Sequence, residues 1–507
     1  MRKRLFNLIE NPNNAIGAYK KIIPSITTLG ATKLQDENVT ALRMAGLFPD
    51  EYMIKFVLDD VKLEFFQANR PIQKEILSTA TFTNYENSSL KILDVKSIAK
   101  LKIVALIMRD KSRDLFDFGK WLTKNNLNSV TKINDYNNRS EIPEDVKPNF
   151  DTLLFYYWKY TNRNWNYNPK YTDIKASQNP YKFESNLRED KYVKKQMQKT
   201  ALLSYLIFED GKIVVDEISP KDKFGKVFTN ETKYHSQSVG KSFASYILGH
   251  AICKGYVDGI DSKLNDWPIL ENTLYYDQKI IDVINMNAGD KKYFASTNEF
   301  NNPKFSYAVT NRTISSAMKN EFKNSKKSGS KWNYNNLLPH LILNYIIFKV
   351  GEDGFQSLLN EILREKVGIE YDATLVASEQ SGFNNKSTTN TFLTTRYDYL
   401  RVARAMLEDW QNDTCEGKYL KSLYERKVKK NKDYRDKKHA HSNTKSYGGF
   451  FHLEPSGMKK RHIFVMDGYG GQTLMIDFDT GRIVTTLAVH RNFNWMKIAH
   501  SVIKKGE

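Results

Sequence analysis

Ser238 stands three residues before Lys241 in the stretch Tyr234-His-Ser-Gln-Ser-Val-Gly-Lys-Ser-Phe-Ala-Ser-Tyr-Ile-Leu-Gly-His-Ala-Ile-Cys-Lys-Gly255, which reads as a short loop running into a helix. A three-residue step stacks the two side chains on one helix face, one turn apart. A serine hydroxyl becomes a useful nucleophile when a base takes its proton, and a lysine can be that base where burial or nearby cations lower its pKa. Backbone N–H groups at the same helix start can stabilise a developing oxyanion. The plain alternatives are a helix N-cap for Ser238 and a solvent-facing lysine for Lys241. The spacing alone carries little, because it recurs at Ser97/Lys100, Ser129/Lys132, Ser328/Lys331 and Ser501/Lys504. Gly240-Lys241-Ser242 is not a phosphate loop, since His235 occupies the place of the required earlier glycine.

Ser238 stands apart because of the motifs downstream of it and their order along the chain. Tyr334-Asn335-Asn336 lies immediately before an apolar helix from Leu337 to Lys349, and Asp467-Gly-Tyr-Gly-Gly-Gln-Thr-Leu-Met-Ile-Asp477 puts a Gly-rich start on a strand. With the weaker signatures Ser204–Val215, Ile280–Gly289 and Tyr447-Gly-Gly-Phe450, this order resembles the serine β-lactamase superfamily. The resemblance is to its class C-like branch of esterases, amidases and D-amino-acid peptidases, over roughly Leu202 to the C-terminus.

The resemblance implies that Ser238 is the nucleophile, Lys241 the general base and Tyr334 a proton relay to the leaving group. It also implies that Asn336 hydrogen-bonds the lysine and the substrate carbonyl side. Tyr469-Gly470-Gly471 falls where the family carries an edge-strand Lys-Thr-Gly or His-x-Gly motif, with glycines that admit a bound acyl group; a hairpin turn reads equally from Gly-Gly. The Ser238 and Gln472 N–H groups would then form the oxyanion hole. Tyr469 stands in place of the cation that reads a β-lactam or peptide carboxylate, so a neutral ester or amide is the expected small-molecule substrate. No metal or organic cofactor is implied. There is no G-x-S-x-G elbow around Ser238 and no His-Glu-x-x-His or Cys/His cluster; His490 at a strand end reads as structural.

Composition bounds the rest. At 507 residues two domains are expected, and 40% hydrophobic with 13% aromatic content supports large cores. No run approaches the roughly 18 apolar residues of a membrane span. The start, Met-Arg-Lys-Arg-Leu-Phe-Asn, lacks an apolar signal core, which favours a cytoplasmic protein. Cys253 and Cys415 suggest no disulfide framework, and Cys253 reads as a packed thiol. Lys and Arg exceed Asp and Glu by 77 to 58, a net +19. Such a charge suits nucleic acid or anionic surfaces, but a basic surface spread over the whole protein explains it more simply. The densest run, Arg426 to His439, reads as a solvated loop.

Residues 1–126 read as a separate α/β accessory domain, with strand-like runs at Tyr52–Leu58 and Val61–Phe66 and an amphipathic helix at Val95–Phe118. Lys102, Arg109, Arg113 and Asp117 near one face of that helix resemble nucleotidyltransferase-like abortive-infection toxins. Such enzymes need a glycine-rich nucleotide loop and paired carboxylates. No such loop is present, and Asp59, Asp60 and Glu64 are the only candidates, so a degenerate or docking module is expected. Residues 127–200 read as a linker and packing segment, its aromatics laid on a neighbouring domain. Residues 201–507 read as α+β: a hairpin at 202–216 and strands at 462–489 join in one antiparallel sheet flanked by helices, with 255–445 as a helical subdomain. The leading expectation is a serine hydrolase. The alternative is a non-catalytic binding or regulatory protein that docks a partner or nucleic acid through its N-terminal region.

Overall fold

The computed structural model describes residues 170–505 except 222–224, 226–227, 294–313, 330, 379–386, 431–442 and 490, and the backbone of five strands before residue 93. The chain divides into two compact units, Met1–Thr152 and Leu153–Glu507. In the first, β1 (Thr32–Lys33), β2 (Met53–Leu58) and β3 (Val61–Phe66) form an antiparallel sheet, and β4 (Thr81–Tyr85) pairs with β5 (Ser88–Ile92). Both strand-like runs read from the sequence are strands. The helix expected at 95–118, with its four ionic residues, and Asp59 and Asp60 lie outside the described residues.

The second unit is built on a nine-stranded sheet. Its strands are β7 (Glu184–Ser185), β8 (Leu202–Glu209), β9 (Lys212–Ile218), β13 (Val428–Lys429), β14 (Thr444–Gly448), β15 (Phe451–Pro455), β16 (Ile463–Gly468), β17 (Gln472–Asp477) and β18 (Arg482–Ala488). They run in the order β13-β14-β15-β16-β17-β18-β8-β9-β7, antiparallel except for β7 on β9. The β18–β8 pairing, from Ile483 opposite Phe208 to Leu487 opposite Ser204, joins early and late chain as expected. Residues 202–208 and 472–477 are buried without alternation, because the sheet is covered on both faces. Near-continuous apolar strands are the consequence. On one face Val193 and Met197 of α1 (Lys191–Lys199) pack with Tyr205, Val465, Met475 and Val484 and with Trp495, Ile498 and Ile503 near the C-terminus. Residues 170–199, within the segment read as linker, thus supply structure to this unit.

The other layer holds α2 (Val239–Cys253), α3 (Ile280–Ile284), α4 (Leu337–Asn360), α5 (Arg396–Gln411) and α6 (Cys415–Glu425). Thirteen of the fifteen α2 residues are buried, which an all-round apolar helix requires. Residues 255–445 are not purely helical. A second sheet, in the order β10 (Tyr234–His235), β12 (Ser387–Thr394), β11 (Ala373–Ser378), β6 (Lys170–Ile174), lies against the start of α2. The β-branched threonines of β12 suit a strand, but their polarity hid the apolar pattern. The cysteines also correct the expectation: Cys253 and Cys415 form a disulfide with Cα atoms 5.8 Å apart, where the end of α2 meets the start of α6. A 162-residue separation gives no local sign of that meeting. The basic run after Arg426 opens as β13, and Lys430, far from solvated, is buried with Nζ donating to Thr444 Oγ1 at 2.5 Å. Among the described residues no helix is long and apolar enough to cross a membrane.

Candidate active site

Ser238 begins α2 in a tight first turn, in which Val239, Gly240 and Lys241 N–H groups donate to the carbonyls of Ser236, Gln237 and Ser238. Gln237 is held at φ +51°, a left-handed conformation uncommon outside glycine, so the chain turns sharply just before the serine. Although Ser238 occupies the N-cap position, its side chain makes no capping bond. Its Oγ instead accepts from Lys241 Nζ at 2.8 Å. Lys241 is 2% exposed. The helix start is clamped by β12: Phe392 N–H donates to Ser236 Oγ and Ser236 N–H to Phe392 O. A Cβ on Gly240 would stand 1.8 Å from Asn390 O, so only glycine lets β12 lie this close.

Tyr334 meets this pair from the loop before α4. Lys241 Nζ sits over its ring, 4.8 Å from the centroid. The same ring stacks on His452 at 6.1 Å and contacts Trp332 and Tyr447. Burial, and then electrostatic interaction with the neighbouring Tyr334, pushes the Tyr447 phenol well above its ordinary range. Asn336 is half-buried at the start of α4, and the neighbouring Asn335 does the capping: its Oδ1 accepts from Leu337 and Leu338 N–H. His340, one turn further along α4, is held neutral; burial and then the Lys241 charge lower it to about 3. His235, whose Nδ1 accepts from Gln237 N–H, is lowered by burial to about 4. Sequence reasoning gave no role to Tyr447, His452 or His340. Tyr447 entered that reading only within the Tyr447-Gly-Gly-Phe450 signature, and the four-residue step from Asn336 to His340 on one helix face could have pointed to His340.

Tyr469, Gly470 and Gly471 form the β16–β17 turn, with Gly470 and Gly471 at φ +85° and +105°. This corrects the edge-strand expectation: β17 is flanked by β16 and β18 inside the sheet. The hairpin reading holds because two successive positive φ angles favour glycine. Its approach to the turn before α2 is made by Gly468, where a Cβ would meet Ser236 O at 2.7 Å and Gln237 Cβ at 3.1 Å. Gln472 lies opposite Gly468 and is buried, while Tyr469 is 46% exposed. Arg491 anchors the hairpin, donating to Asp467 Oδ1 and Gly468 O. Among the described residues no group of His, Cys, Asp or Glu could hold a metal ion, and His490 lies outside them.

No family model matches the chain, and no curated protein matches it. Among solved structures it is similar to a protein described as a 6-aminohexanoate-dimer hydrolase from Bacillus anthracis, at 15% identity and TM-score 0.50, over 70% of this chain and 92% of that one. It is also similar to a Bacteroides dorei protein described as a β-lactamase, at 14% identity and TM-score 0.46, over 62% and 96% of the two chains. A D-stereospecific amidohydrolase from Streptomyces matches at 11% identity and TM-score 0.44, over 62% and 99%. The fold is the α+β fold of serine β-lactamases and penicillin-binding proteins.

Proposed function

We propose that this chain is a serine hydrolase that cleaves a small ester or amide through an acyl-enzyme on Ser238. The observation that carries the reading is the Lys241 Nζ to Ser238 Oγ hydrogen bond at 2.8 Å, made by a serine that leaves its capping role unused. Lys241, once it has given up its own proton, takes the Ser238 proton as Oγ attacks the substrate carbonyl. The Ser238 and Gln472 N–H groups receive the developing oxyanion. Tyr334, under the lysine, passes the proton to the leaving group, and Asn336 steadies lysine and substrate. Water then releases the acyl group by the same steps in reverse.

The fold shared with a protein named as a dimer hydrolase supports hydrolysis as the reaction class. Tyr469 and the two glycines at the hairpin turn carry no charge, and the Arg491 guanidinium beside them is paired with Asp467, which favours neutral acyl groups over carboxylate-bearing ones. The 1–126 region serves in this reading as an accessory module without a nucleotide site. Fluorophosphonate labelling tests the whole: the adduct should map to Ser238 and disappear in Ser238→Ala. Labelling elsewhere, or none, would leave a non-catalytic binding protein as the better account.

A further inference from the structure

Asp290 is fully buried and follows Gly289 in the loop after α3. Its carboxylate accepts three hydrogen bonds, each 3.0 Å long: Tyr275 Oη and Asn335 Nδ2 donate to Oδ2, and Asn333 Nδ2 donates to Oδ1. All three donors are neutral. A carboxylate held out of water without a cation is costly unless its oxygens are satisfied, and three donors do that here. Burial raises its pKa despite them.

Two of those donors flank Tyr334. The chain on both sides of Tyr334 is thus tied to one buried acceptor, while the Tyr334 ring itself lies under Lys241 Nζ. The network reaches α4 as well. With its Nδ2 committed to Asp290, the Asn335 amide has its Oδ1 aimed at Leu337 and Leu338 N–H, which fixes the first turn bearing Asn336. Asn333 N–H donates to Met286 O, so the far side of the loop is tied to the chain just before Asp290.

We propose that Asp290 is a positioning residue for the reaction: it sets the placement of residues 333–336 and so presents Tyr334 and Asn336 to Ser238 and Lys241. This rests on the acyl-enzyme reading above. Asp290→Asn keeps size but turns one acceptor oxygen into a donor that faces other donors. The test uses the full chain and p-nitrophenyl acetate, with active sites titrated by a fluorophosphonate so that rates refer only to folded, competent protein.

Turnover per titrated site should fall about 10- to 100-fold, as expected when a reacting group shifts by around an ångström, with KM changed less than about threefold. In a Tyr334→Phe background the same substitution should cost clearly less than in the wild type, because the phenol it positions is gone and only the Asn336 part of its effect remains. Unchanged turnover per titrated site with only a lower melting temperature would overturn the proposal, as would full additivity with Tyr334→Phe. Should Asp290→Asn fail to fold, Asn333→Ala, which removes one tie, reads the same two outcomes. If wild-type protein were not labelled at Ser238, the hydrolase reading itself would fall, taking this role with it; a labelled wild type with an indifferent Asp290→Asn sinks only the positioning role.

Discussion

The two ends of α2 bury polar groups in opposite ways. At its C-terminal end charges are met by charges: Lys366 Nζ lies 2.7 Å from Asp409 and 3.1 Å from Glu416, whose carboxylate also lies 3.0 Å from His250 Nδ1. Tyr246 Oη donates to Asp409, and the Cys253–Cys415 disulfide closes the same end. At the N-terminal end Lys241 meets a hydroxyl and an aromatic face. The far end resembles a rivet, while the near end is arranged around groups that can exchange a proton. A rigid helix anchored at one end can hold a reactive pair at the other to the tolerance that catalysis needs.

The contrast breaks most visibly at Ser238. Ser238→Ala should abolish fluorophosphonate labelling and lower ester turnover by roughly 10⁴-fold or more, as loss of a nucleophile does. Folding stability should change by less than about 1 kcal/mol, because no cap bond is lost. Wild-type turnover in this variant, measured on an ester the protein hydrolyses, would remove the site from consideration. Lys241→Ala and Tyr334→Phe should each lower turnover by roughly 10²–10⁴ while leaving Ser238 in place. A double variant showing the full product of both losses would indicate independent roles rather than one proton-transfer unit.

At the other end the expected effect is on stability alone. Cys253→Ser should lower unfolding free energy by about 2–5 kcal/mol in urea titrations, since the bond closes a long loop. Turnover per titrated site should stay near wild type. Two reactive thiols per chain in protein denatured without reductant would show that the bond does not form.

Legibility in the sequence tracked the range of the interaction. Ser238 and Lys241 share a helix face, so a three-residue step was enough to pair them. Strands β8, β16, β17 and β18 could be read because burial on both faces made them largely apolar runs, and β9 because Glu209-Asp-Gly211 marks the turn joining it to β8. Contacts that depend on distant segments were invisible. Asn390 O against Gly240, Ser236 O against Gly468, and Cys253 against Cys415 each join positions more than 100 residues apart. Asp290 was hidden for another reason: among the described residues its side-chain partners are asparagines and a tyrosine, and no charge pattern advertises a carboxylate bonded to neutral groups.

Acid should separate the two ends by pH. His235 and His340, lowered to about 4 and about 3, stay neutral in the folded chain at pH values where the unfolded chain, with histidines near 6.5, takes up protons. The unfolded state then binds more protons, so stability falls as pH drops below about 6.5, by up to about 1.4 kcal/mol per pH unit for each histidine. Glu416 acts in the same direction but over a lower pH range: its hydrogen bond with His250 holds it well below the usual carboxylate range despite partial burial. Its contribution is complete above the unfolded value near 4.3 and is lost only as pH falls below that. Urea unfolding at pH 7, 6 and 5 should therefore show a loss that His340→Gln reduces and Glu416→Gln leaves in place. Stability that is flat across this range, or a slope unchanged by His340→Gln, would show that the histidine beside Lys241 is not held neutral.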